Sequence, residues 1–225
     1  MCPLARALLV STSVRRRADI VFWISLAAFA LLSATIGLRL LHPIDVWALH
    51  VAQSRASEGL DNAGTIFSVS GAAEYSGAAM LALVGGLFVA GRRVLGGYLL
   101  AAFLATGLVE LAMKLWLPQV PVPEAVAREA DPTPTLEVDT PYPYPSGHML
   151  RSALLLGTVL VLWPNRLLRT AVLVLLLGTA ASRVYLGVHW ASDVVGGALL
   201  GVAGLAWVFR QEASGYRHGA SARKS

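Results

Sequence analysis

Two short strings combine chemically active side chains with residues that suit a helix start. The first is Pro145-Ser146-Gly147-His148. Serine is a favoured N-cap, and a proline ahead of it suits a chain entering a helix. The free N–H groups of a helix N-terminus, with a glycine that permits close approach, suit a phosphate. His148 is placed to reach the same ligand. An ordinary capped helix with an interfacial histidine would account for the string as well. The second string is Ser182-Arg183, five residues, His189, three residues, Asp193. Residues four apart share a helix face, so Asp193 can hold His189, fix its tautomer and support an imidazolium. A histidine held this way can act as nucleophile or base. The planar guanidinium of Arg183 matches phosphate oxygens. The same residues also read as a helix-capping His–Asp pair beside a snorkelling arginine.

Two more cations stand near these strings. Lys114 suits a second phosphate clamp, or a snorkelling lysine paired with Glu110 one turn earlier. Arg151 lies three residues past His148, on nearly the same helix face. Trp116, Trp163 and Trp190 fall near the ends of apolar runs and read as interfacial anchors.

The elements that must carry these residues are apolar. Of 225 residues, 56% are hydrophobic and 14% charged, and the mean hydropathy is +0.64. Soluble domains carry about 25% charge, so this composition excludes an ordinary soluble domain, and it excludes a disordered chain, which is apolar-poor. One cysteine, Cys2, supports neither an intrachain disulfide framework nor a thiolate metal site. The net charge of +5 comes in short clusters between apolar runs, which fits membrane orientation and not a nucleic-acid patch. The run 7–10 is too short for a signal-peptide core, and Arg15–Arg17 follow it, so the first long apolar stretch is expected to be retained.

A span needs about 20 apolar residues. The expected fold is all-α: a six-transmembrane-helix bundle with spans at 20–41, 75–90, 95–117, 148–163, 167–186 and 191–209. An N-terminal segment, 1–19, and a basic tail, 210–225, flank this domain of residues 20–209. Counted from an inside start, 12 of the 18 Lys and Arg residues collect on one side, so both termini are expected in the cytoplasm. Residues 43–74 are too polar to span and read as short helices at the outer interface. The connection 118–145 holds eight of the 11 prolines and five acids, Glu124, Glu129, Asp131, Glu137 and Asp139. Its length suits a lid beside the site or a stiffened exposed loop. In this arrangement Lys114, Ser146, His148, Arg151, Ser182, Arg183, His189 and Asp193 all lie at outer span ends. Charges at membrane depth need a partner or a task.

Together these residues resemble the type 2 phosphatidic acid phosphatase family of membrane phosphatases, which shares its site with vanadium haloperoxidases. Two of the family's three motifs, Pro-Ser-Gly-His and Ser-Arg-x5-His-x3-Asp, match in full at 145–148 and 182–193. The first, Lys-x6-Arg-Pro, matches at Lys114 but has Pro121-Val122 in place of Arg-Pro. The resemblance covers roughly residues 60–209. It implies that His189 is the nucleophile and forms a phosphohistidine, that Asp193 orients it, and that His148 protonates the leaving oxygen and then activates water. Lys114, Ser146, the Gly147 N–H, Ser182 and Arg183 would bind the phosphoryl oxygens, with Arg151 (or Arg128) in place of the absent motif arginine. The charge distribution of phosphoryl transfer suits such a site. No cofactor and no metal is expected, since the site helices lack a cluster of facing carboxylates.

The expected activity is hydrolysis of a lipid phosphate or diphosphate, with undecaprenyl diphosphate, phosphatidylglycerol phosphate and phosphatidic acid as candidates. The expected partners are that substrate and the membrane lipids; the oligomeric state is open. A lipid phosphotransferase using the same phosphohistidine is the alternative enzyme. A lipid-phosphate binding or transport protein is the alternative without catalysis.

Overall fold

The computed structural model describes residues 3–128, 139–163 and 165–222, with side chains described for 13–128, 139–163 and 165–214. The acids Glu129, Asp131 and Glu137 and the tail residues Arg223 and Lys224 therefore lie outside the described residues. Eight α-helices form among those described, and no strand.

Helix α1, Pro3–Gly37, runs antiparallel along α8, Ala191–Ala222. Ion pairs close one end of the bundle. Arg210 reaches Asp19 at 2.6 Å, and Arg92 reaches Glu212 at 2.8 Å. Arg92 and Arg210 thus share one end of the molecule with Asp19 and Glu212. Helix α1 runs through residues 3–19 of the N-terminal segment, and α8 continues through most of the tail.

At the other end the chain turns at Arg39 (φ 58°) into α2, His42–Gln53, which begins with Pro43 where no helical N–H is needed. Helix α3, Glu58–Gly71, is capped by the Ser57 hydroxyl and carries Glu58 and Asp61 in its first turn, where acids complement the helix dipole. Its Gly64, Ser68 and Gly71 line one buried face, and small residues there let α3 lie close to α6 and α7. Helix α4, Ala73–Val89, follows at a 43° bend. Gly91 (φ +78°) turns the chain into α5, Arg93–Trp116. Met80, Val84 and Leu87 of α4 pack there on Leu95, Leu99 and Ala102 of α5.

Helix α6, Gly147–Leu162, α7, Arg166–Tyr185, and α8 complete the bundle. Asn165 caps α7 by accepting from the Leu167 and Leu168 N–H groups. In the most apolar stretch of α8, 61% of residues are buried, against 22% in α1 and α7, so α8 is the central helix. Its Gly197 and Gly201 face the α6 backbone. A Cβ at Gly197 would stand 2.2 Å from the Ser146 carbonyl oxygen, and one at Gly201 2.6 Å from that of Leu150.

The expected six spans are therefore not all present as such. Four helices, α1, α5, α7 and α8, are long and apolar enough to cross a membrane, or five spans if the bent pair α3–α4 is one. Alone, α4 has only 17 residues. The 16 residues of α6 cover only about 24 Å at the usual rise. Residues 58–71 also differ from expectation: α3 is built into the bundle by its small-residue face instead of lying on it.

Candidate active site

The site is assembled by the ends of α3, α5, α6, α7 and α8. Between α7 and α8 the chain reverses at Gly187 (φ +69°), where a Cβ would collide with the Val126 carbonyl oxygen at 2.4 Å. The Val188 and His189 N–H groups both donate to the Arg183 carbonyl, at 3.3 and 3.1 Å. The turn thus fixes the His189 backbone independently of its side chain.

Asp193, in the first turn of α8, is fully buried. Its Oδ2 accepts the Trp190 N–H at 2.9 Å and lies 3.3 Å from His189 Nδ1. The i, i+4 pairing expected from the sequence is therefore present. Its Oδ1 accepts from Gln119 Nε2 at 2.7 Å. The Ser146 N–H donates to the Asp193 carbonyl at 3.0 Å, so the starts of α6 and α8 are bonded to each other. His148 sits in the first turn of α6 against Gly71 of α3, where a Cβ would stand 2.9 Å from the His148 Cβ. His148 and His189 lie within electrostatic reach of each other, and both feel Arg183, Arg151 and Lys114. Burial, then the cations Arg183, Lys114 and Arg151, hold His189 well below the usual imidazole pKa, so its ring is neutral at physiological pH.

Three cations surround the histidines. Arg183 is 4% exposed and donates to the Ser68 hydroxyl of α3. Lys114 Nζ is 3.1 Å from Glu110 Oε1, and Arg151 NH1 is 3.3 Å from Glu110 Oε2. One carboxylate therefore bridges two cations, against Gly147, where a Cβ would meet Glu110 Oε1 at 2.0 Å. Ser146 Oγ and Arg151 Nε are buried without a hydrogen-bond partner among the described residues. Both can donate a hydrogen bond. The Ser182 hydroxyl donates to the Thr179 carbonyl at 2.8 Å, within its own helix.

All the residues singled out by the two strings, with Lys114 and Arg151, thus come to one end of the bundle. Arg128 does not join them: Asp61 of α3 engages its guanidinium. Trp190 is no interfacial anchor. It is 2% exposed, and its indole N–H donates to the Val120 carbonyl at 2.7 Å. Trp116 and Trp163 remain exposed, as anchors would be. Ser68 and Gln119 were not anticipated. The small residues Gly64, Ser68 and Gly71 mark a close-packing face of α3, but no spacing in the sequence ties Ser68 or Gln119 to the site.

This arrangement is that of a helical membrane protein in which two histidines and three cations share one end of the bundle. The PAP2 superfamily model matches residues 95–215, more than half of the chain, and the protein belongs to that superfamily. The structure is similar to the crystal structure of the first transmembrane PAP2 type phosphatidylglycerolphosphate phosphatase from Bacillus subtilis. The TM-score is 0.68 at 21% identity, covering 88% of this chain and 96% of that one. No curated protein matches the chain.

Proposed function

We propose that the protein is an integral membrane phosphatase that removes phosphate from a lipid phosphate or diphosphate through a phosphohistidine. The observation that carries this reading is the Ser146–Asp193 backbone hydrogen bond. It joins the two complete motifs, so that the α6 N-terminus and the His189–Asp193 pair address one volume. The neutral His189 ring attacks phosphorus as the bond to the lipid oxygen breaks, and His148, protonated once the anionic phosphate offsets Lys114, Arg151 and Arg183, gives that oxygen its proton and becomes neutral. His148 then takes a proton from water, which attacks phosphorus, breaks the P–N bond and frees inorganic phosphate. Lys114, Arg151, Arg183, Ser146, the Gly147 N–H and, once its hydroxyl turns from the Thr179 carbonyl, Ser182 hold the equatorial oxygens, where charge is greatest. Asp193 keeps Nδ1 protonated and leaves Nε2 as the attacking atom.

Arg151 stands in for the arginine absent from the first motif. Its NH1 is anchored on Glu110 while Nε is left over. Arg151→Ala is expected to lower kcat/KM by on the order of 10²-fold, read from initial rates of phosphate release. Unchanged turnover and substrate affinity would remove Arg151 from the site.

The basic end of the bundle faces the cytoplasm, with both termini, and the site opens at the outer leaflet. A lipid headgroup lies at that level while its tails stay in the bilayer. The relative's phosphatidylglycerolphosphate makes that lipid one candidate, beside phosphatidic acid and undecaprenyl diphosphate. The test is phosphate release by the purified chain in detergent over these three, with and without EDTA. Release that EDTA leaves intact is expected for at least one; dependence on a divalent metal would refute the mechanism. In sealed vesicles, only the right-side-out orientation should act on added substrate.

A further inference from the structure

The connection after α5 reaches the histidine from a side that no motif describes. Gln119 lies between Pro118 and Pro121, is 8% exposed, and donates to Asp193 Oδ1 at 2.7 Å. Its neighbour Val120 accepts the Trp190 indole N–H at 2.7 Å. Two adjacent residues therefore stitch this segment to the turn that carries His189. The other Asp193 oxygen is held by the Trp190 N–H and faces His189 Nδ1. Rotation of a carboxylate about its terminal sp³–sp² torsion is soft. One N–H on Oδ2 leaves that torsion free to swing the oxygen off Nδ1; a second donor on Oδ1 fixes the plane.

We infer that Gln119 is a positioning residue for phosphoryl transfer, locking the Asp193 carboxylate plane so that Nε2 of His189 stays aimed at phosphorus. This rests on the phosphatase reading above. In the register of the first motif, the segment that would carry a phosphate-binding arginine here turns a neutral amide onto the carboxylate behind the nucleophile.

The titratable and charged groups around Gln119 are Asp193 of α8, Asp45 and His42 of α2, Arg39 before α2, and Lys114 of α5, which acts on Asp193. The test measures kcat and KM for whichever of the three candidate lipids the wild type hydrolyses fastest, from pH 5 to 8, each value relative to wild type at the same pH, on the full chain in detergent. Gln119→Leu should lose about 10–100-fold in kcat, the size of effect known for outer-shell hydrogen-bond partners in metal sites, with KM within about threefold of wild type, at every pH. Gln119→Glu is nearly isosteric. At pH 8 its carboxylate repels Asp193 and cannot donate, so kcat is low. As the pH falls the new carboxyl takes up a proton, donates to Oδ1 again, and kcat recovers toward wild type. A Leu variant within twofold of wild-type kcat, or Leu and Glu variants with the same pH profile, would overturn the inference. Wild-type turnover that disappears in His189→Ala while Gln119→Leu stays active defeats this inference alone. A wild type that releases no phosphate, or a His189→Ala variant that still does, defeats the phosphatase reading itself.

Discussion

Replacing His189 by alanine should reduce phosphate release by about 10⁴-fold or more, the range seen when a covalent nucleophile is removed from its catalytic set. The fold should survive. The turn is pinned by the Val188 and His189 N–H groups on the Arg183 carbonyl and by Gly187 in the left-handed region, and none of these needs the imidazole. The cations Lys114, Arg151 and Arg183 also remain, so the variant should still bind the lipid phosphate. Wild-type protein quenched during turnover of a ³²P-labelled substrate should carry acid-labile, base-stable phosphate, and His189→Ala should carry none. Labelled protein in the variant, or residual turnover within a hundredfold of wild type, would assign the nucleophile elsewhere.

Asp193→Asn should cost on the order of 10³–10⁴-fold in kcat, as loss of the carboxylate behind a reacting histidine does in hydrolases. Three donors converge on Asp193: the Trp190 N–H and His189 on Oδ2, and Gln119 on Oδ1. An asparagine presents one oxygen and one NH₂. With its oxygen toward Trp190, its NH₂ meets the Gln119 amide. A flip of Gln119 then offers Oε1, an oxygen that has no partner among the described residues. The substitution is thus accommodated, and thermal unfolding in detergent should shift little. The negative charge that supports an imidazolium as His189 is phosphorylated is lost, so kcat falls while KM is little changed. A variant within tenfold of wild type would show that Asp193 serves only to cap α8.

What the sequence made legible was local. His189 and Asp193 are four residues apart, as are Glu110 and Lys114, and both pairs form. Helical spacing finds the second pair; the first forms although His189 precedes α8, because Asp193 in the first turn reaches back to the preceding turn. The contacts that complete the site cross long stretches of chain: Gln119 meets Asp193 over 74 residues, and Ser68 meets Arg183 over 115. A single sequence carries no periodicity that links such positions. Trp190 shows the same limit differently. A tryptophan at the end of an apolar run suits an interfacial anchor, but an indole N–H buried on the Val120 carbonyl suits a core position equally well. The span count stays undecided by composition where length is marginal. The apolar content of α4 and α6 was evident, but 17 and 16 residues are near the minimum for crossing a bilayer alone. The bend that joins α3 to α4 depends on the extended backbone at Ala72 (ψ 146°), which composition does not reveal.

Where Gly197 of α8 meets the Ser146 carbonyl, and where Gly71 of α3 meets His148, there is no room for a methyl group. The three helices behind the two imidazoles are therefore in contact at the level of their main chains, with no compressible layer between them. A guest headgroup cannot be admitted by prising these walls apart. On the phosphatase reading it is admitted by the long side chains Lys114, Arg151 and Glu110 changing rotamer and exchanging an internal carboxylate for an incoming phosphate. Adaptation to a different lipid then falls to these side chains, and the helix contacts behind the imidazoles can stay as they are.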